Sequence, residues 1–168
     1  MDNVHSIGGS GVQFGFDLEP EVNAHLQRAA MTVADRKTSL EALNEARRNA
    51  PDQLEVLVSL YKFHFYQGDT EKAQDIVFQA LIKSSRQEGF SHNWNHLHAD
   101  SADWSNPRSA ARIYLYSLKA LAFIRLRQND IEDAESILAV LDRLDPLDRV
   151  GANVIRELLA GLLEETDG

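Results

Sequence analysis

Three of the six histidines fall within seven residues, His92, His96 and His98, with Asp100 and Asp103 directly after them. Imidazole and carboxylate together suit zinc or another first-row transition metal, and on a helix His92 and His96 would share one face. Asn93 and Asn95, which favour turns, flank them, so polar packing of a wet loop is the preferred reading. A metal site and contact with a partner compete with it. Nucleophilic chemistry has less to work with. The chain has no Cys, no G-x-S-x-G elbow, and no Ser with His and Asp in a recognisable local order. The carboxylate pairs Glu164/Glu165 and Asp142/Asp145 fall at helical ends, where a solvated face is the ordinary explanation. Gly8-Gly9-Ser10-Gly11 lacks the following Lys-Ser/Thr and the strand-to-helix setting of a phosphate cradle. The expectation is therefore a non-enzyme without cofactors, with a metal-dependent enzyme using the His-rich loop as the rival.

A length of 168 residues suits one domain or one short solenoid. The net charge of −9, from 17 basic and 26 acidic residues, disfavours nonspecific binding to nucleic acid or an anionic membrane, because phosphate is repelled on average. Absence of Cys removes disulfides and thiolate metal sites and fits a reducing compartment. No apolar run approaches 18 residues, and Asp2 with no basic start before an apolar segment is not a secretory signal. A cytoplasmic location is expected.

The elements that must position any site are helices. In residues 51–81, Leu54, Leu57, Val58, Tyr61 and Phe65 form one apolar stripe, and Ala73, Ile76, Val77, Ala80 and Leu81 form a second. Pro51 fits a first-turn position, Gly68 ends the first helix and Asp69 caps the next. Upstream, Val22, Leu26, Ala29, Ala30 and Val33 mark a helix over about residues 20–32, and Leu40, Leu43 and Ala46 mark another over residues 36–49. Residues 1–19, with four glycines and no helical period, read as a flexible arm whose Phe14 and Phe16 are candidates for docking on the body or on a neighbour. The two hairpins share one register: Ala34-Asp35, Ser39 and Ala46 each lie 34 residues before Gly68-Asp69, Ala73 and Ala80.

A 34-residue period of helix, turn and helix with small residues at the crossings resembles the tetratricopeptide repeat. A third copy follows: Leu118, Leu121 and Ala122, the turn Asn129-Asp130, then Ala134, Leu138 and Leu141, and Leu144-Asp145-Pro146, with Pro146 falling where Pro51 falls. The resemblance implies an all-α, right-handed solenoid of about three helical hairpins, over residues 20–53, 54–87 and 115–148. An insertion over about residues 88–114 displaces the third unit by 27 residues. A capping helix over about residues 147–165 uses Val150, Val154, Leu158, Leu159 and Leu162, and its removal is expected to unfold more than itself. Within the insertion, Asn106 or Ser105 is expected to cap a helix running from about Pro107 to Arg127, leaving a long loop that contains Trp94 and Trp104. Tyr61 departs from the family pattern, which has a small residue there, and wider or reoriented packing is expected around it. The run ARIYLYSLKALAFIRLR followed by LDPLDRVGA also resembles small accessory proteins with such repeats encoded in bacterial nitrogen-fixation clusters.

In tetratricopeptide proteins the first helix of each hairpin lines a concave groove. Carried over, that gives His25 and Arg28, then Lys62, Phe65 and Tyr66, then Lys119, Phe123 and Arg127, a basic and aromatic set inside an acidic protein. It implies a protein-interaction module or adaptor for a protein or peptide that is acidic and carries apolar anchors, with Trp94 and Trp104 as a second contact in the loop. The competing explanation makes Phe65 and Phe123 core and the cations solvating. The Lys-Asn pattern that clamps the tails of heat-shock chaperones is absent, because Phe123 and Arg28 stand where Asn is required. A secretion-type or assembly chaperone and a self-assembling, homo-oligomeric solenoid compete with the adaptor as functions for such a fold.

Overall fold

Three aspartates start three helices in the same way. In the computed structural model, which describes residues 35–167, the side chains of Asp35, Asp69 and Asp130 accept hydrogen bonds from the backbone N–H groups of Thr38, Lys72 and Asp133 at 3.2, 3.1 and 3.2 Å. Each satisfies a donor that has no partner within the helix. The helices they open are α1 (Arg36–Asn49), α3 (Thr70–Glu88) and α5 (Ile131–Leu144), and α2 (Leu54–Tyr66), α4 (Ala110–Arg127) and α6 (Asn153–Thr166) complete the set. Before Asp69 and Asp130 the chain turns through left-handed residues, Gly68 at φ 81° and Asn129 at φ 60°. Glycine has no Cβ to clash in that region, and asparagine tolerates it better than most.

The other kind of turn also repeats. Ala50 and Asp145 end α1 and α5 in nearly the same backbone conformation, and their N–H groups reach Ala46 and Leu141. Both precede proline, which excludes the helical region for the residue before it. Pro51 is not in the first turn of α2 as the sequence suggests. It occupies the bend that returns the N–H of Gln53 to the carbonyl of Ala50, and α2 starts three residues later.

Among the described residues the protein is all-helical. Consecutive helices pack in pairs up to α5: α2 packs on α1 and α3, α4 on α3 and α5, α2 also touches α4, and α6 lies against α4. Ala46, Ala73, Ala80, Ala122 and Ala134 are fully buried, which lets the backbones approach. Arg125 braces three helices from α4, bonding Asp133 of α5 at 2.7 Å and Gln74 of α3 at 2.7 Å. Tyr61 is buried and faces the small Ser117 of α4, which supplies room for its ring, and burial pushes the phenol upward.

Residues 89–109 form an ordered connection with one turn of 3₁₀ helix at Trp94–His96. Neither Ser105 nor Asn106 caps α4. Asn106 closes a local turn onto the N–H of Arg108, and Pro107 lies in that turn, so the helix starts at Ala110, whose N–H is taken by the Glu88 carboxylate at 2.9 Å. The final helix differs from expectation in its inward face. Ile155 and Leu159 are buried, whereas Val154, Leu158 and Leu162 are 57%, 48% and 41% exposed. Arg156 ties α6 to α5 through Asp142 at 2.5 Å and to the preceding turn through Asp148. No helix among the described residues is long and apolar enough to cross a membrane. The expected arm over residues 1–19, the helix over 20–32, Phe14, Phe16, His25 and Arg28 lie outside the described residues.

Candidate functional site

The C-terminal halves of α2 and α4 bring Phe65 and Phe123 into ring contact, with centroids 4.9 Å apart. Both rings are half-buried, so each serves the core on one side and a surface on the other. They form the floor of a cleft of about 790 Å³. Leu126 and Arg127 extend one wall along α4, Gly68 and Thr70 close the end at the α2–α3 turn, and the opposite wall is α6, with Glu157, Leu158, Gly161, Leu162 and Glu165. Two of the apolar residues left exposed on α6, Leu158 and Leu162, are thus one side of a concave surface. Tyr66 stands at the edge of Phe65, 58% exposed.

Three of the expected groove residues, Phe65, Phe123 and Arg127, therefore line one cleft. Lys62 and Lys119 sit one helical turn back on the same two helices. They lie close enough for Lys119 to oppose the charge on Lys62, and burial holds both ammonium groups below the ordinary lysine range. Lys119 is not simply a ligand-reading cation: its Nζ donates to the carbonyl of Val150 at 2.9 Å and fastens the approach to α6. Among the described residues Lys62 has no acidic partner and makes no hydrogen bond. Arg127 is exposed. The cleft itself is not basic, because Arg127 shares it with Glu157 and Glu165.

The loop residues have other work. Trp104 is buried, its ring 5.0 Å from Phe90 and 6.2 Å from Tyr114, and its Nε1 donates to the carbonyl of His98 at 3.0 Å. That removes it as a partner contact. Trp94 is half-buried against the core. The loop is held by arginines that donate to its carbonyls, Arg143 to Leu97 at 3.0 Å and to Trp94 at 3.4 Å, and Arg149 to Ser105 at 3.1 Å. His92, His96 and His98 are all exposed, and their backbones do the structural work: the His92 carbonyl accepts from the Tyr114 hydroxyl, the His96 N–H closes the 3₁₀ turn and the His98 N–H bonds Ser101. Among the described residues no group of three His, Asp or Glu side chains is gathered to hold a metal ion, so the spacing of the histidines in sequence does not become a ligand set.

A comparison with known proteins found a relative 32% identical over 160 residues, which spans 94% of this chain and 89% of the other. It is described as an "Uncharacterized 19.8 kDa protein in nifW 5'region" of Azotobacter chroococcum mcd 1. The chain belongs to the family of that protein. No family model and no solved structure matches it.

The sequence carries one legible sign of the wall that α6 contributes. Its apolar residues occupy two adjoining stripes, Ile155 and Leu159 beside Val154, Leu158 and Leu162, which is more than one buried face requires. Glu157, Gly161 and Glu165 carry no such sign, since exposed charge at the end of a terminal helix is ordinary.

Proposed function

We propose that this protein is a non-catalytic protein-interaction module that takes a protein segment into the cleft between α2, α4 and α6. In this reading the fold is a right-handed solenoid of tetratricopeptide-like hairpins. The matching aspartate caps at Asp35, Asp69 and Asp130 and the matching bends before Pro51 and Pro146 support it. Helices α2, α4 and α6 are then the row that lines the concave side, and the module acts in the cytoplasm as an accessory of nitrogen fixation. The Azotobacter relative's description supports that setting through its mention of a nifW 5' region.

The observation that carries the reading is the cleft's composition. An aromatic pair and three leucines, Leu126, Leu158 and Leu162, line a concavity together with Arg127, Glu157 and Glu165. Each large apolar side chain of a partner fully buried there contributes roughly 1.5 to 3 kcal/mol. An apolar centre ringed by charge is the usual build of an interface whose energy comes from a few anchors. The experiment is affinity capture from native cell extract with the wild-type chain and with Phe123→Glu, after circular dichroism has established equal helicity. A partner retained by the first and lost by the second supports the cleft. An identical set of captured proteins refutes it.

A further inference from the structure

A second hollow, of about 320 Å³, lies where the inserted connection meets the end of α5. It shares no lining residue with the cleft. Arg143 and Arg149 line it, with Ala102, Trp104, Pro146 and Leu147 as apolar wall. Two carboxylates line it as well, and both are engaged. Asp103 accepts from the N–H and the hydroxyl of Ser105 at 3.2 and 2.6 Å, with Arg149 in electrostatic reach. Asp145 is buried and accepts from the N–H groups of Arg149 and Val150, both at 3.0 Å. The two guanidinium groups are only partly used. Arg143 gives Nε and Nη2 to the Leu97 and Trp94 carbonyls, and Arg149 gives Nη1 to that of Ser105. A guanidinium has five N–H donors, so each keeps donors to spare, and neither forms an ion pair with a carboxylate among the described residues.

A third guanidinium adds positive charge from inside the protein. Arg112, in the first turn of α4, is 8% exposed. Its Nη2 reaches the Ser105 carbonyl at the long distance of 3.5 Å, and its Nε is buried without a partner. The Ser105 carbonyl, on the wall of the hollow, is thus shared by Arg112 and Arg149. The first turn of α4 has no acidic residue, and the Glu88 carboxylate at that end is taken by the N–H of Ala110 at 2.9 Å. A buried cation without a counterion is costly, and the positive end of the helix dipole adds to the cost. An anion held nearby offsets both.

We infer that this hollow is a binding site, separate from the cleft, for a small-molecule oxyanion, a carboxylate or phosphate held between Arg143 and Arg149 with a short apolar body against Pro146 and Leu147. Guanidinium groups match the paired oxygens of both anions, and the volume is at the lower end of small-molecule sites. The inference does not depend on the proposed protein-binding function.

The test is calorimetric titration of the full-length chain with phenylacetate, with phenyl phosphate and with uncharged benzyl alcohol, while the indole N–H resonance of Trp104 is followed by nuclear magnetic resonance. At least one of the two anions should bind, move the Trp104 resonance, and exceed benzyl alcohol in affinity by at least tenfold. The tighter of the two assigns the site to carboxylates or to phosphates. Leu147→Glu should weaken that anion at least tenfold. Leu147 is 72% exposed, so the change sets a negative charge at the rim without loosening the fold, whereas Arg149→Met also releases the Ser105 carbonyl. Failure of both anions to bind, equal binding of benzyl alcohol, or affinity unchanged in Leu147→Glu overturns the inference.

Discussion

Replacing Arg143 with Met should loosen the inserted connection before it unfolds the helices. The guanidinium donates from Nε to the Leu97 carbonyl at 3.0 Å and from Nη2 to the Trp94 carbonyl at 3.4 Å, bridging α5 to the loop 46 and 49 residues away. A hydrogen bond to a charged group contributes about 1.5 to 3 kcal/mol. The second bond is long and Arg143 is exposed, so water replaces part of what is lost, and the net cost should be about 1 to 2 kcal/mol. Both tryptophans of the chain, Trp94 and Trp104, lie in this connection, so tryptophan fluorescence reports on the loop while far-ultraviolet circular dichroism reports on the helices. In wild type the two urea transitions should coincide, because Trp104 packs on Tyr114 of α4. In Arg143→Met the fluorescence transition should move to lower urea by on the order of 1 M, ahead of the helical one. Coincident curves at the wild-type midpoint would show that the arginine holds nothing and refute this explanation of why the long connection is ordered.

Neighbouring leucines on α6 should behave oppositely: Leu159→Ala should cost about 2 to 3 kcal/mol in urea unfolding followed by circular dichroism, whereas Leu158→Ala should change stability by less than about 0.5 kcal/mol and weaken partner capture. Lys62 is held below the ordinary lysine range by burial and by Lys119, so the folded chain binds fewer protons than the unfolded one as pH rises from its folded value to the ordinary one. Stability should increase with pH across that window, and Lys62→Met should raise the thermal midpoint at pH 7 and flatten the rise. Gly68→Ala places a Cβ at φ 81° with no neighbour within 4 Å, so its cost should be conformational alone, about 1 kcal/mol, read as a lower melting temperature with unchanged helicity.

Elements with a strong local signal were legible in the sequence. The helix expected over residues 36–49 is α1 to the residue, because its ends are marked by Asp35 and by the residues before Pro51. Asp69 and Asp130 announce α3 and α5 in the same way. Pro51 and Pro107 misled, because proline serves a first helical turn and the bend before it equally well, and backbone hydrogen bonds formed only in the fold decide between them. The loop was legible as something packed, from Trp94, Trp104, Phe90 and Leu97. Its fastenings were not, since Arg143 and Arg149 come from elements more than forty residues away. In the cleft, Phe65, Phe123 and Arg127 followed from the resemblance and from helical spacing. The contribution of α6 did not, because Ile155 and Leu159 compete with Val154, Leu158 and Leu162 for the same inward face, and only packing formed in the fold decides which stripe turns in.

The most direct test of the cleft is site-specific photo-crosslinking in the native cell. A photoreactive phenylalanine analogue is placed at Leu158, 48% exposed within the cleft, and for comparison at Ile82, 40% exposed on α3 and outside it. A covalent adduct to one discrete protein from Leu158, absent from Ile82 and abolished by Phe123→Glu, is the predicted result. Equal adducts from both positions, or none from Leu158 while the protein is expressed at its normal level, would contradict a cleft built to hold a partner.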